Sequence, residues 1–106
     1  MAVVELKDND GWKDFIQSEY SIIDCYGDNC VACVVLEPVY DALADEMGEI
    51  AFGRINITHY PEIANTYGVN AMPTLLYFRN GQLVNQSMGS MEKEELLTYI
   101  AGMLYQ

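Results

Sequence analysis

Apolar and polar residues recur along this chain with two different periods, and the two periods predict where its strands and helices lie. Short, largely apolar runs have the length and composition of strands, and they occupy residues 3–6, 21–27 and 50–57. After the first run, Trp12, Phe15 and Ile16 recur at the spacing of one helical face. The first half of the chain therefore predicts strands and helices in alternation.

The segment from 30 to 48 predicts the longest helix, because its apolar and acidic residues separate onto different faces. We expect Pro38 to kink this helix rather than to divide it, since a proline removes one backbone donor and clashes with the preceding turn. The acidic face comprises Glu37, Asp41 and Asp45. The apolar face that we expect to pack against the core comprises Val35, Val39, Leu43 and Met47.

Prolines, glycines and asparagines mark the boundaries in the second half of the chain. Pro61 and Gly68 bracket a short predicted helix. Asn80-Gly81 predicts a type I′ hairpin, because both central residues of that turn need a positive φ. Ser90 is the expected N-cap of the last helix, whose apolar face comprises Leu96, Leu97, Ile100 and Leu104. The complete order, β-α-β-α-β-α-β-β-α, predicts an α/β fold with a mixed central sheet and helices on both faces.

Length and charge narrow the classes of function. The 106 residues suffice for one domain with its own core, so we expect residues 1–106 to form a single domain, and we expect a monomer. Five basic against sixteen acidic side chains give a net charge of -11. That charge disfavours nucleic acid and anionic membrane surfaces as partners.

The sequence also indicates a compartment. No apolar run approaches the roughly 20 residues that span a bilayer, and the first residues turn acidic before the core of a signal peptide could form. Three cysteines are too few for the disulfide framework of a secreted protein. We therefore expect a reducing environment, the cytoplasm.

Two of the cysteines, Cys30 and Cys33, lie where the second predicted strand gives way to the long helix. Their spacing places both sulfurs on one face of the first turn, close enough to form a disulfide. The unpaired N–H groups and the dipole of the helix N-terminus stabilise an anion there, which favours Cys30 as the nucleophilic thiolate. Cys33, one turn further in, is expected to be more buried and to act as the resolving thiol.

A pair of cysteines with this spacing could instead be half of a zinc or iron–sulfur site, which needs four ligands. The remaining soft or imidazole donors are Cys25 and His59, and Cys25 has no ligand-like spacing. The residues therefore favour redox chemistry over metal binding. His59 lies in a predicted turn and is expected to be solvated, so we assign it no role.

Four segments together resemble the thioredoxin family, and the resemblance covers nearly the whole chain. They are IIDCYGDNCVAC at 22–33, Pro38 in the following helix, AMPTLLYFRNG at 71–81 and MGS at 88–90. The resemblance implies the thioredoxin fold, a five-stranded mixed β-sheet flanked by four helices, and a thiol:disulfide oxidoreductase that reduces protein disulfides. It also implies that no cofactor is bound and that a separate reductase, flavin-linked or ferredoxin-linked, regenerates the dithiol.

The resemblance also assigns roles outside the cysteine pair. It implies that the Met72–Pro73 peptide bond is cis, which places Pro73 against the dithiol and lets the backbone of Met72 pair with a substrate strand. Asp24 matches the family's buried aspartate, whose raised pKa lets it take the proton of Cys33, directly or through water. The alternative for Asp24 is a structural carboxylate that caps a backbone group or pairs with a cation, for example Arg54, which stands where relatives commonly carry a lysine. Arg54 cannot give up its proton, so its role is electrostatic.

The chain departs from the family at the site itself, where N-C-V-A-C replaces the usual W-C-G-P-C. The loss of the proline restores a donor N–H near the sulfurs, and the loss of the tryptophan removes an apolar wall from the substrate groove. Because these changes leave the reduction potential open, a more oxidising, isomerase-like enzyme is one alternative to a reductase. The other alternative is a docking module in which the dithiol is incidental or regulatory. Cys25 is expected to be inert and buried on the opposite face of its strand. The residues expected to line the groove are Asn29, Val31, Ala32, Met72, Thr74 and Gly89.

Overall fold

The structure, a computed structural model, describes residues 2–105. Its strands and helices follow the predicted order. The strands are β1 (Val3–Leu6), β2 (Tyr20–Tyr26), β3 (Ala51–Asn56), β4 (Thr74–Arg79) and β5 (Gln82–Met88), and the helices are α1 (Gly11–Phe15), α2 (Val31–Glu46), α3 (Glu62–Tyr67) and α4 (Lys93–Leu104). No helix in this part of the chain is long and apolar enough to cross a membrane.

The strands form one mixed sheet in the order β1-β3-β2-β4-β5. β2 lies at its centre, parallel to β3 and antiparallel to β4. The edge strand β1 is parallel to β3, and the edge strand β5 is antiparallel to β4. The predicted five-stranded mixed sheet with four helices is therefore confirmed.

β2 is buried on both faces, which explains why its sequence is a nearly continuous apolar run. Ile22 packs in a core layer with residues of α2 and α4, whereas Ile23 and Cys25 pack in a second layer with residues of α1 and α3. Because side chains alternate along a strand, Asp24 shares the α2 side of the sheet with Ile22. The fold thus places one carboxylate inside the molecule, beneath α2.

The buried face of α2 differs from the predicted one. Val35 is 58% exposed, so the prediction that it faces the core is wrong. A step of four residues advances about 40° beyond a full turn, so a row built only from such steps winds away from the core. The residues of α2 that are buried are Cys33, Leu36, Tyr40, Leu43 and Ala44, which recur mainly at alternating steps of three and four. The helix continues through the exposed Pro38 without dividing.

The last helix begins later than predicted. Its N-cap is Glu92, and Ser90 lies outside the helix, so the prediction of a serine cap is wrong. Met91 is buried in the same core layer as Leu96 and Ile100. Burial of this side chain keeps the chain extended through residue 92 and outweighs the capping preference of serine.

The predicted turns are confirmed. Pro61 is the N-cap of α3, and Gly68 ends that helix with a φ of 68°. Asn80 and Gly81 join β4 to β5 with φ values of 51° and 83°. Both turn residues therefore have the positive φ that a type I′ hairpin needs.

Tyr40 ties α2 to the two central strands. Its hydroxyl lies 3.0 Å from the carbonyl oxygen of Ile22 in β2 and 2.7 Å from that of Gly53 in β3. The ring is fully buried and meets Phe52 edge-on at 5.3 Å. These contacts fix how α2 sits on the sheet, and hence where its N-terminus lies relative to the end of β2.

Tyr40→Phe should lower the free energy of unfolding by about 1 to 3 kcal/mol, because it removes the donor that reaches two buried carbonyl groups. The measurement is urea unfolding of the oxidised protein at neutral pH. Tyr99→Phe is the matched control: Tyr99 stacks on Tyr77 at 5.7 Å, and the structure records no hydrogen bond from its hydroxyl within residues 2–105. The control should change the free energy of unfolding by less than about 0.5 kcal/mol. Equal losses of stability in both variants would contradict a stabilising role for the Tyr40 hydroxyl.

Candidate active site

Cys30 and Cys33 are joined by a disulfide at the N-terminus of α2, with their Cα atoms 5.3 Å apart. Cys30 is the N-cap residue, and the backbone N–H of Cys33 donates to its sulfur at 3.2 Å. Cys30 is partly exposed, whereas Cys33 is 4% exposed and faces the core. One end of the disulfide is therefore accessible to other molecules and the other is shielded.

The turn that presents Cys30 is held by the connection between β3 and α3. The backbone N–H of Asp28 donates to Thr58 Oγ1 at 3.1 Å, and the carboxylate of Asp28 accepts from Asn56 Nδ2 at 3.0 Å. His59 Nε2 lies 3.1 Å from the same carboxylate, although its imidazole remains exposed, as predicted. Sequence reasoning missed these contacts, because no local pattern links Asp28 to residues so far along the chain.

Gly27 and Asn29 suit the close packing and the backbone of this turn. A Cβ atom on Gly27 would overlap Met72 Sδ and would lie 2.7 Å from Thr58 Oγ1, so only glycine allows Met72 to approach this closely. Asn29 has a φ of 56°, a left-handed conformation that asparagine adopts more readily than most residues. Its side chain is exposed next to Cys30.

The segment that leads into β4 packs against the same turn. The Met72–Pro73 peptide bond is cis, in agreement with the resemblance, and Pro73 is buried. The carbonyl oxygen of Pro73 accepts from the backbone N–H of Gly89 at 2.8 Å, which holds the loop after β5 beside it. Thr74 is buried as well, and its hydroxyl donates to the carbonyl oxygen of Ala71 at 2.8 Å. Its side chain therefore does not face the surface with the other predicted groove residues.

An open cleft of about 630 Å³ lies beside the disulfide. Both cysteines line it, together with Val31 and Val34 and, on its polar side, Glu37 and Arg54. Val31 is 80% exposed and Val34 is 68% exposed. Large apolar side chains exposed together favour a surface that another molecule covers.

Asp24 is fully buried, and neither of its carboxylate oxygens has a hydrogen-bond partner among the described residues. Arg54 Nη2 lies 3.9 Å from Asp24 Oδ2, beyond hydrogen-bond distance. Burial raises the pKa of Asp24 to about 7; Arg54 opposes this rise, and further carboxylates add to it, namely Glu37, Asp41 and Glu5. The carboxyl group therefore holds its proton over a pH range in which ordinary aspartates are ionised.

Arg54, in β3, lies among four carboxylates, and its side chain is 11% exposed. Its Nη2 donates to Glu37 Oε2 at 2.7 Å. The other contacts are longer: 3.8 Å to Glu5, 3.9 Å to Asp24 and 4.0 Å to Asp41. The ion pair of Asp24 with Arg54 that we expected as an alternative is therefore a long contact, and Glu37 is the residue that Arg54 binds.

Cys25 is buried in the core layer formed with α1 and α3, on the opposite face of β2 from Asp24, as predicted. Burial raises the pKa of its thiol above the ordinary range. This position separates Cys25 from the disulfide by the sheet itself. Within residues 2–105, no group of three or more histidine, cysteine, aspartate or glutamate side chains is arranged to hold a metal ion.

Comparisons with known proteins agree with this geometry. The family model described as Thioredoxin matches residues 2–102. The chain is 31% identical to the thioredoxin of Chlamydia caviae over 98 residues, which cover 92% of this chain and 96% of that protein. It is 37% identical to the chloroplastic M-type thioredoxin of Spinacia oleracea over 100 residues, which cover 90% of this chain and 55% of that protein.

Solved structures share the fold. The thioredoxin of Plasmodium falciparum superposes with a TM-score of 0.87 at 19% identity, over 97% of this chain and 99% of that one. Oxidised mitochondrial thioredoxin 3 of Saccharomyces cerevisiae superposes with a TM-score of 0.85 at 24% identity, over 93% of each chain. At these identities the likeness establishes the arrangement of sheet and helices.

The buried Asp24 should make stability depend on pH. Its pKa in the folded protein, about 7, lies above the ordinary value of 3.8, so the folded state binds the extra proton between these two values. The free energy of unfolding should therefore fall as the pH rises through this window and become level above it. Relative to the native chain, Asp24→Asn should gain on the order of 3 to 4 kcal/mol between about pH 4 and about pH 8.

The measurement is urea unfolding of both oxidised proteins across this pH range. Asp45→Asn is the control, because Asp45 is an exposed carboxylate on α2 and its replacement should leave the difference from the native chain nearly constant. A difference between Asp24→Asn and the native chain that does not change with pH would contradict the raised pKa.

Proposed function

The chain belongs to the thioredoxin family and is a thiol:disulfide oxidoreductase, and from that premise we propose that it reduces disulfide bonds in other proteins through a reversible Cys30–Cys33 dithiol. The observation that carries this proposal is the asymmetry of the two sulfurs. Cys30 is accessible at the N-cap of α2, and Cys33 is shielded inside the first turn. A general reductant needs one sulfur that a substrate can reach and one that acts only afterwards.

In the first step, the thiolate of Cys30 attacks one sulfur of the substrate disulfide. The bond between Cys30 and that sulfur forms, the substrate disulfide breaks, and the second substrate sulfur leaves as a thiolate that takes a proton from solvent. The N–H of Cys33, which points at the Cys30 sulfur, and the helix N-terminus both support an anion at this position.

In the second step, Cys33 gives its proton to the carboxylate of Asp24, directly or through water, and its thiolate attacks the Cys30 sulfur. The Cys30–Cys33 bond forms, the mixed disulfide breaks, and the substrate sulfur that Cys30 first attacked leaves as a thiolate, which takes a proton from Asp24 or from solvent. The substrate gains two electrons and two protons, and the dithiol loses them. The burial of Asp24 and its pKa of about 7 support this role, because both forms of the carboxyl group are then populated near neutral pH.

The substrate groove is proposed to run along the exposed apolar side of the disulfide. Val31 and Met72 are exposed there, and Asn29, Ala32 and Gly89 lie on the same loops and helix end. Met72 precedes β4 and has no partner in its strand pairings, so its backbone is placed to pair with an extended substrate segment. Pro73 is proposed to fix this edge against the disulfide.

The electrons are proposed to come from a separate reductase, since the sequence has no dinucleotide-binding fingerprint. A flavin-linked or a ferredoxin-linked reductase would supply the two electrons that restore the dithiol. This electron transport fits a reducing compartment, and we propose the cytoplasm. The unpaired Cys25 supports a reducing environment.

The native chain should accelerate dithiothreitol-driven reduction of insulin, and Cys30→Ser should abolish the acceleration, because it removes the attacking thiolate. The measurement is the rate of insulin precipitation at equal protein concentrations. Cys25→Ala is the matched control: it also removes a thiol, but one buried on the opposite face, so it should keep most of the activity. A native chain without acceleration would overturn the general reductase.

Cys33→Ser separates the enzyme from a docking module. Without the resolving thiol, Cys30 should stay joined to its substrates as mixed disulfides, which dithiothreitol releases. Several trapped proteins on a non-reducing gel, absent with Cys30→Ser, are the expected result. A partner retained equally by both variants would instead indicate docking without disulfide exchange.

A further inference from the structure

One guanidinium serves four carboxylates beside the disulfide, and they compete for its donors. Glu5 comes from β1, Asp24 from β2, and Glu37 and Asp41 from α2. The same nitrogen, Arg54 Nη2, lies 2.7 Å from Glu37 Oε2 and 3.9 Å from Asp24 Oδ2. A hydrogen bond therefore exists to Glu37 and not to Asp24.

The two competing carboxylates differ in burial. Asp24 is fully buried and without a hydrogen-bond partner in the described chain, whereas the Glu37 side chain is 48% exposed at the edge of the cleft. A buried, unpartnered carboxylate would gain more from a guanidinium than an exposed one, since water already solvates the exposed group. Arg54 nevertheless binds the exposed carboxylate of Glu37, so other contacts must hold it there.

The fold supplies those contacts. Glu37 stands one turn beyond Cys33 on α2, and the tie of Tyr40 to both central strands fixes this helix over β3. The guanidinium also lies over the ring of Tyr26, at 5.1 Å from its centre. These contacts hold Arg54 toward the cleft and away from the interior.

We propose that Glu37 is a positioning residue of the redox site: it binds the Arg54 guanidinium at the cleft and so keeps it from forming a hydrogen bond with Asp24. Its effect on catalysis rests on the proposed role of Asp24 as the acceptor of the Cys33 proton. Without Glu37, Arg54 pairs with Asp24 and stabilises the ionised carboxylate. Asp24 is then a weaker base for the resolving thiol.

Other groups around Asp24 act by their charge or proximity rather than by holding Arg54. Asp41 approaches Arg54 only to 4.0 Å, and Glu5 only to 3.8 Å while also accepting from the Tyr26 hydroxyl. The titratable groups that face or adjoin Asp24 in the oxidised protein are Glu37, Tyr40 and Asp41 of α2, Glu5 of β1, Arg54 of β3, Cys25 and Tyr26 of β2 and Tyr77 of β4. Asp41 is therefore a matched comparison for Glu37, since both carry one negative charge on the same helix beside the same cation.

The test is the titration of Asp24 in the oxidised protein, followed by NMR of the aspartate carboxyl carbons and assigned with Asp24→Asn. Glu37→Ala should lower the titration midpoint by about one pH unit or more, because it removes a negative charge and also releases Arg54. Asp41→Ala removes the same charge but leaves the Glu37 bond intact, so it should lower the midpoint by less than half as much. Equal shifts in the two variants, or no shift with Glu37→Ala, overturn the proposal.

A second readout separates this inference from the role of Asp24 itself. The reduced protein is mixed with a disulfide reagent whose thiolate products are coloured. The first thiolate released reports attack by Cys30, and the second reports resolution by Cys33. With Glu37→Ala the pH profile of the second phase should move as far as the NMR midpoint, while the first phase stays close to that of Asp41→Ala. If the midpoint moves and the second phase does not follow, the proton-acceptor role of Asp24 fails and the positioning of Arg54 stands.

Discussion

The burial of β2 on both faces is the constraint on which the rest of the site depends. The inner residues of this central strand, 21–25, are all buried, so each of their side chains lies on one of the two covered faces of the sheet. Ile22 and Asp24 fall on the side of α2, and Ile23 and Cys25 fall on the other. The same alternation therefore hides one thiol from the redox pair and places a carboxylate beneath the helix that carries the pair.

The buried Asp24 is tolerated because its carboxyl group can remain protonated. An ionised Asp24 without hydrogen-bond partners would carry a large desolvation penalty, and taking up a proton avoids it. The surrounding charges reinforce this choice. No lysine or arginine lies between Lys13 and Arg54 in the sequence, so one guanidinium faces several acidic side chains in the part of the chain that forms the redox site. Since that guanidinium is hydrogen-bonded to Glu37, Asp24 receives only part of its influence.

Local signals in the sequence were sufficient for most of the fold and for the cysteine pair. Positive φ at Asn80 and Gly81, and the strand-to-helix junction at Cys30, depend on residues next to one another in the chain. The two failures have different causes. Val35 was misplaced because a row built only from four-residue steps winds away from the core, and Ser90 because the burial of Met91 decides the path of the chain.

The contacts that position the site were beyond prediction for a related reason. Asp28 is held by Asn56, Thr58 and His59, and Arg54 is held by Glu37, and each of these partners stands far along the chain. A one-dimensional pattern records spacing within an element, not which element lies opposite. Thr74 was expected to line the groove, but the alternation of β4 turns its hydroxyl inward to Ala71.

The distribution of charge around Cys30 follows from these placements. A net charge of -11 would oppose a thiolate if acidic groups faced it, yet the first turn of α2 contains no acidic residue and exposes valines instead. Asp28, close by in sequence, is engaged by Asn56 and His59, and Glu37, one turn beyond Cys33, is engaged by Arg54. Because Asp28 and Glu37 already have partners, the N–H groups at the start of the helix act on the Cys30 sulfur with little opposition from these two carboxylates. An acidic protein can in this way keep a nucleophilic thiolate, because its few cations and its amide groups bind the carboxylates that lie next to the site.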